Sequence, residues 1–295
     1  MEPDRDLHPD AAAAAELIKH RPMLLGLAYR MTGSLHDADD VLQEAYLRWA
    51  AVDRERIEQP RRYLTRVVAR LAVDQLRARQ ARRESYVGEW LPEPAPTETV
   101  DVSYAVLHLM EQLTPPQRAV YVLRAAFDLP FEEIAEIIER TPADCRQLHH
   151  RAQEALQTGR VRFKPAPQEH ERLLKSFLAA AREGDLATLR SLLHADVVSW
   201  SDGGGRVRAA IRPLRTPAKV ARFFGGIYSR AEFLHIEELQ LNGAPALLME
   251  SERSRHVLLL DAADGVINSL YVMANPDKIL VTRLFPERTD SATRE

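Results

Sequence analysis

Apolar residues recur at three- and four-residue spacing through the first half of the chain, a period typical of amphipathic helices. Over residues 12–85 this pattern predicts a compact all-α domain with almost no strand signal. The predicted elements are an entry helix that ends at Tyr29, a turn at residues 32–34, a helix over residues 37–50, and an arginine-rich helix over residues 61–83.

A proline-rich, acidic segment follows this domain. Residues 86–101 contain three prolines, which disfavour helix, and the acids Glu89, Glu93, Glu98 and Asp101. The composition predicts an extended linker that is mobile when unbound. Helical periodicity resumes over residues 102–163, with a helix break at residues 113–116, and residues 164–167 mark a second boundary.

The second helical block ends in a helix–break–helix pattern. Its first helix carries an apolar stripe formed by Phe131, Ile134, Ala135 and Ile138. Thr141 suits the N-cap of the next helix and Pro142 its first turn. That helix is predicted to bury Cys145, Leu148 and Ala152 and to expose Arg146, Gln147, His149, His150 and Arg151. Such donors suit base edges and phosphates in a DNA major groove, although an ordinary helical hairpin with a solvated face explains the isolated pattern about equally well.

The pattern changes after residue 167 to two helices, over residues 169–182 and 186–193, followed by period-two segments typical of strands. Strands are predicted at residues 197–201, 206–211, 234–241, 246–250, 256–260, 266–273 and 279–285, with one helix at 216–230. Turn residues at 202–205, 242–243 and 264–265 predict mostly antiparallel hairpins. Residues 168–286 therefore form a predicted α+β domain, with a curved sheet packed on helices.

Composition and charge narrow the classes of function. No apolar run approaches the length of a membrane span, and the acidic N-terminus lacks the order of a secretory signal, so we expect a cytoplasmic protein. A single cysteine excludes an internal disulfide. The net charge is −3, but eight arginines and one acid, Asp74, lie between residues 61 and 83. Six basic residues and two acids lie between residues 140 and 164, so two separate basic helices predict two nucleic-acid contacts.

The order of these parts resembles an extracytoplasmic-function sigma factor of bacterial RNA polymerase. The resemblance covers residues 12–163: an acidic helix, an arginine helix, a linker and a terminal helix-turn-helix. It implies that residues 12–85 are sigma region 2 and residues 102–163 are sigma region 4. The Asp-Asp-x-x-Gln-Glu pattern implies binding to the clamp helices of the polymerase β′ subunit through Asp39, Asp40, Gln43 and Glu44, with Leu42 and Trp49 on the packed side. A solvated acidic face is the alternative for that helix alone.

In this family the arginine helix melts the −10 promoter element and holds it as single-stranded DNA, with one base extruded into a pocket. The resemblance implies that role for Arg61, Arg62, Tyr63, Arg66, Arg70, Arg77 and Arg79. Tyr63 stands where the family usually has tryptophan, and Arg70 where it often has asparagine, so the sequence preference at −10 is left open. Asp74 is expected to pair with neighbouring arginines.

The helix-turn-helix corresponds in the family to the module that reads the −35 element as duplex DNA and docks on the polymerase β flap. The residues implied are Arg146, Gln147, His150 and Arg151. Gln153 stands where the family often has another arginine. Adjacent histidines point to different sides of a helix, so His149 and His150 do not predict a metal site, and no cofactor is expected.

The linker and the third domain carry a second resemblance, to the SigJ-like subgroup of sigma factors with a fused SnoaL-like domain of the NTF2-like cone fold. The linker sequence Tyr86-Val-Gly-Glu-Trp-Leu-Pro-Glu-Pro94 matches the subgroup signature. Two loop signatures match as well: Asp202, Gly203, Gly204, Gly205 and Arg206, with arginine for the usual lysine, and Asn275, Pro276, Asp277 and Lys278. In the subgroup such loops lie near the contact with the sigma core, which implies regulation within the chain and no requirement for a separate anti-sigma factor.

Two alternatives assign a different role to the third domain. Free-standing domains of this fold include isomerases and hydrolases, and His194, Asp196, Trp200 and His235 are the acid–base candidates here, although packing explains each of them better. The chain is then an enzyme with a DNA-targeting half. A regulator that senses an unidentified small ligand in the conical pocket is the other alternative, and it would bind duplex DNA without polymerase.

Overall fold

A computed structural model of the chain describes residues 9–83, 86–158, 167–252 and 254–279. The chain divides into two compact units: residues 1–84 with 109–159, and residues 85–108 with 160–295. The segment between the two helical blocks therefore belongs to the unit that contains the C-terminal domain. Residues 164–166 of the predicted boundary at 164–167, and residues 280–285 of the predicted strand at 279–285, lie outside the described residues.

The first unit is helical. It contains α1 Pro9–Thr32, α2 Leu35–Ala51, a short 3-10 helix Arg54–Arg56, α3 Pro60–Arg83, α5 Pro115–Ala125, α6 Phe131–Ile138 and α7 Pro142–Thr158, while α4 Tyr104–Met110 crosses the division between the units. Leu24, Leu27, Leu64 and Val68 are fully buried, and α1 packs on α3. The predicted all-α class is confirmed for both helical blocks, and α3 also packs on α5 and α6.

Residues at the predicted helix breaks end α1 and cap α2 and α7. Gly33, at φ 67°, ends α1, and the Ser34 hydroxyl accepts a hydrogen bond from the Asp37 amide at 3.2 Å to cap α2. Thr141 caps α7 as predicted, because its hydroxyl accepts from the Asp144 amide at 3.1 Å and the Asp144 carboxylate accepts from the Thr141 amide at 3.3 Å.

The second unit is α+β, as predicted. Helices α8 Pro167–Glu183, α9 Leu186–Leu192 and α10 Pro217–Tyr228 accompany a six-stranded sheet in the order β2-β1-β6-β5-β4-β3. The strands are β1 Leu193–Asp202, β2 Leu214–Arg215, β3 His235–Leu241, β4 Ala244–Glu250, β5 Arg255–Ala263 and β6 Val266–Met273. Pairing is antiparallel except between β1 and β6. Hairpins at residues 242–243 and 264–265 are confirmed.

Each face of the sheet contributes to a separate hydrophobic core. Leu247, Leu258 and Leu270 pack with the helices in one core, whereas their neighbours Leu248, Leu259 and Tyr271 form a second core. Alternation of side chains along each strand produces this division. Leu91 of the linker and Tyr104 of α4 belong to the second core.

Three sequence predictions need correction. Residues 206–211 form turns and bends instead of a strand, because the amides of Arg206 and Val207 donate to the Gly203 carbonyl, both at 3.0 Å. Residues 202–205 therefore do not close a tight hairpin, and β1 meets β2 only after a loop of residues 203–213. The linker is non-helical, as predicted, but residues 91–96 are buried against the C-terminal domain, so it is not a solvated tether.

Candidate nucleic-acid interface and linker-binding site

The acidic helix α2 presents one polar face and one packed face. Leu42 and Trp49 are buried, and the Trp49 indole donates to the Ala13 carbonyl at 3.1 Å. The opposite face carries half-exposed or exposed side chains. Asp39 pairs with Arg21 at 3.0 Å and Glu44 with Arg48 at 3.0 Å, Asp40 lies 3.8 Å from the His36 ring, and Gln43 is exposed. All four residues predicted to bind polymerase therefore share an accessible face.

The arginine helix α3 lines a groove of about 780 Å³. Arg62, Tyr63, Arg66 and Arg70 line it, and the Tyr63 ring lies 5.6 Å from the Trp49 ring. Arg61 and Arg77 are exposed on the same helix, and Arg77 pairs with Asp74 at 3.3 Å as predicted. The groove is basic and has an aromatic side chain in its wall, the combination that holds single-stranded nucleic acid.

Glutamates of α6 form hydrogen bonds and ion pairs with several of these arginines. Arg62 donates from Nε to a Glu133 carboxylate oxygen at 3.1 Å and from Nη2 to the other oxygen, and this hydrogen bonding raises the pKa of Arg62. Arg66 pairs with the Glu136 carboxylate, and Arg70 donates to the Glu136 carbonyl at 3.3 Å. Sequence reasoning missed Glu133 and Glu136, because ion pairs between residues 71 and 70 positions apart leave no local pattern.

Arg79 is not available for DNA. Its side chain is only 2% exposed and its Nη2 lies 3.8 Å from the buried Glu111 carboxylate. The prediction that Arg79 contacts the −10 element is therefore wrong for this structure, because the face of α3 that holds Arg79 packs against α5.

Helix α7 exposes Arg146, Gln147, His150 and Arg151, the four residues predicted to contact the −35 element. Arg146 pairs with Glu132 at 2.9 Å, and His150 lies 3.3 Å from Glu154. His149, by contrast, points inward: its ring stacks on Tyr121 at 6.1 Å and meets Phe131 at 5.7 Å. His149 is half-buried and not exposed as predicted, and this burial lowers the pKa of His149. Cys145 and Ala152 are buried as predicted, whereas Leu148 is half-buried.

The two loop signatures of the C-terminal domain meet at one buried carboxylate. Asp202 is fully buried and accepts hydrogen bonds from the Tyr86 hydroxyl at 2.5 Å, the Leu91 amide at 3.0 Å and the Lys278 ammonium at 2.7 Å. Lys278 also donates to the Leu91 carbonyl at 2.7 Å, and its Nζ lies 3.6 Å from the centre of the Trp90 ring. The loops therefore hold the linker.

The remaining signature residues support this contact. The Asn275 amide donates to the Tyr86 hydroxyl at 2.7 Å, and burial together with Asp202 raises the pKa of Tyr86. Gly204, at φ 62°, has no room for a side chain, because a Cβ atom there would lie 2.5 Å from Asn275. Arg206 and Asp277 form an exposed ion pair at 3.1 Å on the same side.

The linker makes a second contact at the β3–β4 turn. Asn242, at φ 52°, accepts from the Ala95 amide at 2.9 Å through its side chain and donates to the Val102 carbonyl at 3.2 Å. The main-chain amide of Asn242 donates to the Ala95 carbonyl at 2.9 Å. The sequence predicted the turn at residues 242–243 but not its contact with the linker.

The acid–base candidates do not converge. His194 and Asp196 lie on β1, and His235 lies exposed on β3, with β6, β5 and β4 between those strands. Trp200 stacks on Tyr271 at 5.3 Å. Sequence reasoning missed His256, whose ring lies 3.2 Å from the Tyr228 hydroxyl and whose pKa burial lowers to about 4. No group of histidine, cysteine or acidic residues in the described part of the chain could hold a metal ion.

Comparison with known proteins decides the family. Residues 17–82 match the family model of Sigma-70 region 2, and residues 103–156 match that of Sigma-70 region 4. The chain is 35% identical to the ECF RNA polymerase sigma factor SigJ of Mycobacterium tuberculosis, over 93% of this chain and 95% of that protein. This chain belongs to the ECF sigma factors.

Two further relatives support the assignment of this ECF sigma factor. Its identity to the probable ECF sigma factor SigI of Mycobacterium tuberculosis is 30%, over 88% of the chain and 92% of that protein. The crystal structure of Mycobacterium tuberculosis SigJ matches with a TM-score of 0.72 and 31% identity, covering 90% of this chain and 97% of that one. The likeness extends through the C-terminal domain, so both proteins carry the α+β domain as well as the two sigma regions.

Within this ECF sigma factor, region 2 corresponds to α1–α3 and region 4 to α4–α7. The chain is therefore a factor that directs promoter-specific initiation by RNA polymerase. None of the described helices is long and apolar enough to cross a bilayer.

Proposed function

We propose that the free sigma factor is held in a closed state in which region 4 occupies the −10-reading arginines of region 2. The pairs of Arg62 with Glu133 and of Arg66 with Glu136 carry this proposal. DNA phosphates would neutralise the same guanidinium groups that the α6 carboxylates neutralise here, so DNA and α6 would compete for them. The −10 contacts are then Arg61, Arg62, Tyr63, Arg66, Arg70 and Arg77, and the −35 contacts are Arg146, Gln147, His150 and Arg151.

Opening is driven by the polymerase in this proposal. The accessible face of Asp39, Asp40, Gln43 and Glu44 binds the β′ clamp helices, and region 4 binds the β flap. Contacts at both regions favour a conformation in which they separate, since a partner shifts an equilibrium by its differential affinity for the two states. The factor acts where its polymerase is, in the cytoplasm, and needs no cofactor.

The C-terminal domain regulates this transition through the linker. It buries residues 91–96 and pairs Lys278 with Asp202 against them, so the acidic linker is sequestered. Release of the linker makes it available to the positively charged active-site channel of the polymerase. Regulation therefore lies within the chain and requires no separate anti-sigma factor.

The closed state is tested by removing the α6 charges. The double variant Glu133→Gln, Glu136→Gln keeps side-chain size but loses both ion pairs, while Glu139→Gln, at the C-terminal end of the same helix, is the matched control. In transcription with core polymerase and limiting sigma factor, we expect the double variant to raise transcript yield about three- to tenfold, because partly exposed ion pairs are individually weak. Glu139→Gln should match wild type. Equal yields for all three proteins would contradict the closed state.

A further inference from the structure

One segment of the C-terminal domain has a strong positive charge. Between residues 203 and 231 the sequence has seven basic residues and no acid, whereas the whole chain has a net charge of −3. Protein surfaces usually intersperse charges of both signs. All seven basic side chains are exposed, and together we call them the basic cluster: Arg206, Arg208, Arg212, Arg215, Lys219, Arg222 and Arg230.

The main chain that carries the basic cluster is ordered. In the loop after β1, the Gly203 carbonyl accepts from the amides of Arg206 and Val207, and Gly203 has no room for a side chain beside the Val207 carbonyl. Arg215 lies on β2, the edge strand of the sheet, and pairs in register with Val198 of β1. A partner therefore meets cations on a preorganised backbone, which lowers the entropic cost of binding.

Helix α10 continues the basic cluster on its solvent side. Phe224 and Tyr228 of this helix are buried in the core, and Lys219 and Arg222 are exposed one turn apart on the opposite side. Gly226 follows them on that side, where an added Cβ atom would contact nothing within 4 Å. Packing therefore does not require this glycine, although glycine destabilises a helix relative to alanine. Its absent side chain leaves the helix backbone open to close approach by a partner.

Most of these cations have no acidic partner within the described structure. Arg206 pairs with Asp277 at 3.1 Å, whereas the other six form no ion pair with a residue that the structure describes. The residues outside the described ranges carry eight basic and seven acidic side chains in the sequence, so they bring no excess of acid. The basic cluster therefore suits an anionic partner from outside the chain.

We propose that the basic cluster binds the phosphates of duplex DNA, as a contact additional to those of regions 2 and 4. Six of its seven members are arginines, whose guanidinium groups bond phosphate through paired, charge-assisted hydrogen bonds. Duplex DNA carries one negative charge for about every 1.7 Å of its axis, so several neighbouring cations each reach a phosphate. The centre of a protein interface, by contrast, is apolar and depleted of charge. Because phosphates are the target, this contact is independent of base sequence.

The test measures binding of the full-length protein to a labelled duplex without promoter elements, by fluorescence anisotropy between about 50 and 200 mM salt. The double variant Arg215→Gln, Arg222→Gln removes two cations of the basic cluster. Arg172→Gln, Arg182→Gln on α8 is the matched control, because both arginines are exposed, the change in net charge is the same, and an acid adjoins each arginine in sequence. Any duplex binding by regions 2 and 4 is common to all three proteins.

We expect the Arg215→Gln, Arg222→Gln variant to bind the duplex about tenfold more weakly at 0.1 M salt, with a salt slope of the binding constant shallower by about 1–2. The α8 variant should bind as wild type does. An equal loss in both variants would reflect net charge alone and would overturn the proposal.

Two further probes distinguish other anionic partners. Ile211 and Ile227 are also exposed in this segment, so vesicles that contain anionic lipid are tested with the same proteins, as is core polymerase. Unchanged duplex binding, with binding to either of these lost only in the Arg215→Gln, Arg222→Gln variant, would assign the basic cluster to that partner and overturn the DNA contact.

Discussion

At the scale of single residues, burial decides how much an ion pair contributes to the stability of the fold. Lys278 and Arg206 each join the same two loops of the C-terminal domain, one to Asp202 and the other to Asp277. The Asp202 side chain is fully buried and that of Lys278 is 11% exposed, whereas Arg206 and Asp277 are 64% and 58% exposed. Solvent screens the second pair but not the first.

Lys278→Met is therefore expected to destabilise the protein by about 3 kcal/mol, because it leaves the Asp202 carboxylate buried without its cation. Arg206→Met should cost less than about 1 kcal/mol. Denaturant unfolding measures the difference, and hydrogen exchange at the Leu91 amide should accelerate only in Lys278→Met. Similar unfolding free energies for the two variants would show that Asp202 does not depend on Lys278.

At the scale of elements, two tight turns of the same conformation have different roles. Asn242 in the β3–β4 turn and Asp264 in the β5–β6 turn have φ angles of 52° and 55°, and glycine follows each. Asn242 bonds to Ala95 in the linker and to Val102 just after it, whereas Asp264 bonds to no linker residue in the described part of the chain. The turn therefore connects two strands and also anchors a segment that is 147 residues away in sequence.

Asn242→Ala and Asp264→Ala both place alanine at positive φ, which costs about 1 kcal/mol. We expect Asn242→Ala to lose about 1–3 kcal/mol more, because the Ala95 amide is left buried without its acceptor. Thermal unfolding compares the two variants, and exchange of the Ala95 amide reports the linker directly. A loss of equal size in both variants, with Ala95 still protected, would mean that Asn242 acts only as a turn residue.

At the scale of the whole molecule, the linker lies between region 2 and region 4 in sequence but belongs to the unit of the C-terminal domain in space. Leu91 of the linker and Tyr104 of α4 complete the second core of the sheet. The C-terminal domain therefore packs against a segment that covalently connects region 2 to region 4.

Deletion of residues 168–295 is expected to change transcript yield with core polymerase, because the linker loses the surface that buries it. Lys278→Met, which weakens the same contact without deletion, should change yield in the same direction. Transcription from one promoter at matched protein concentrations measures both. Unchanged output after deletion would refute regulation by the fused domain.

The sequence by itself determined the helices, the hairpins at residues 242–243 and 264–265, the cap at Thr141 and the family, because periodicity, turn chemistry and short motifs are local properties. Only the tertiary structure decided that Arg79 is buried, that α6 acids pair with Arg62 and Arg66, that β1 runs parallel to β6, and that the linker is packed. Each of these depends on residues brought together from distant positions. Hydrophobic periodicity shows which side of a helix or strand is apolar but not which other element covers it. The arginines of α3 therefore looked alike in the sequence, although Arg61 and Arg77 are exposed and Arg79 is buried.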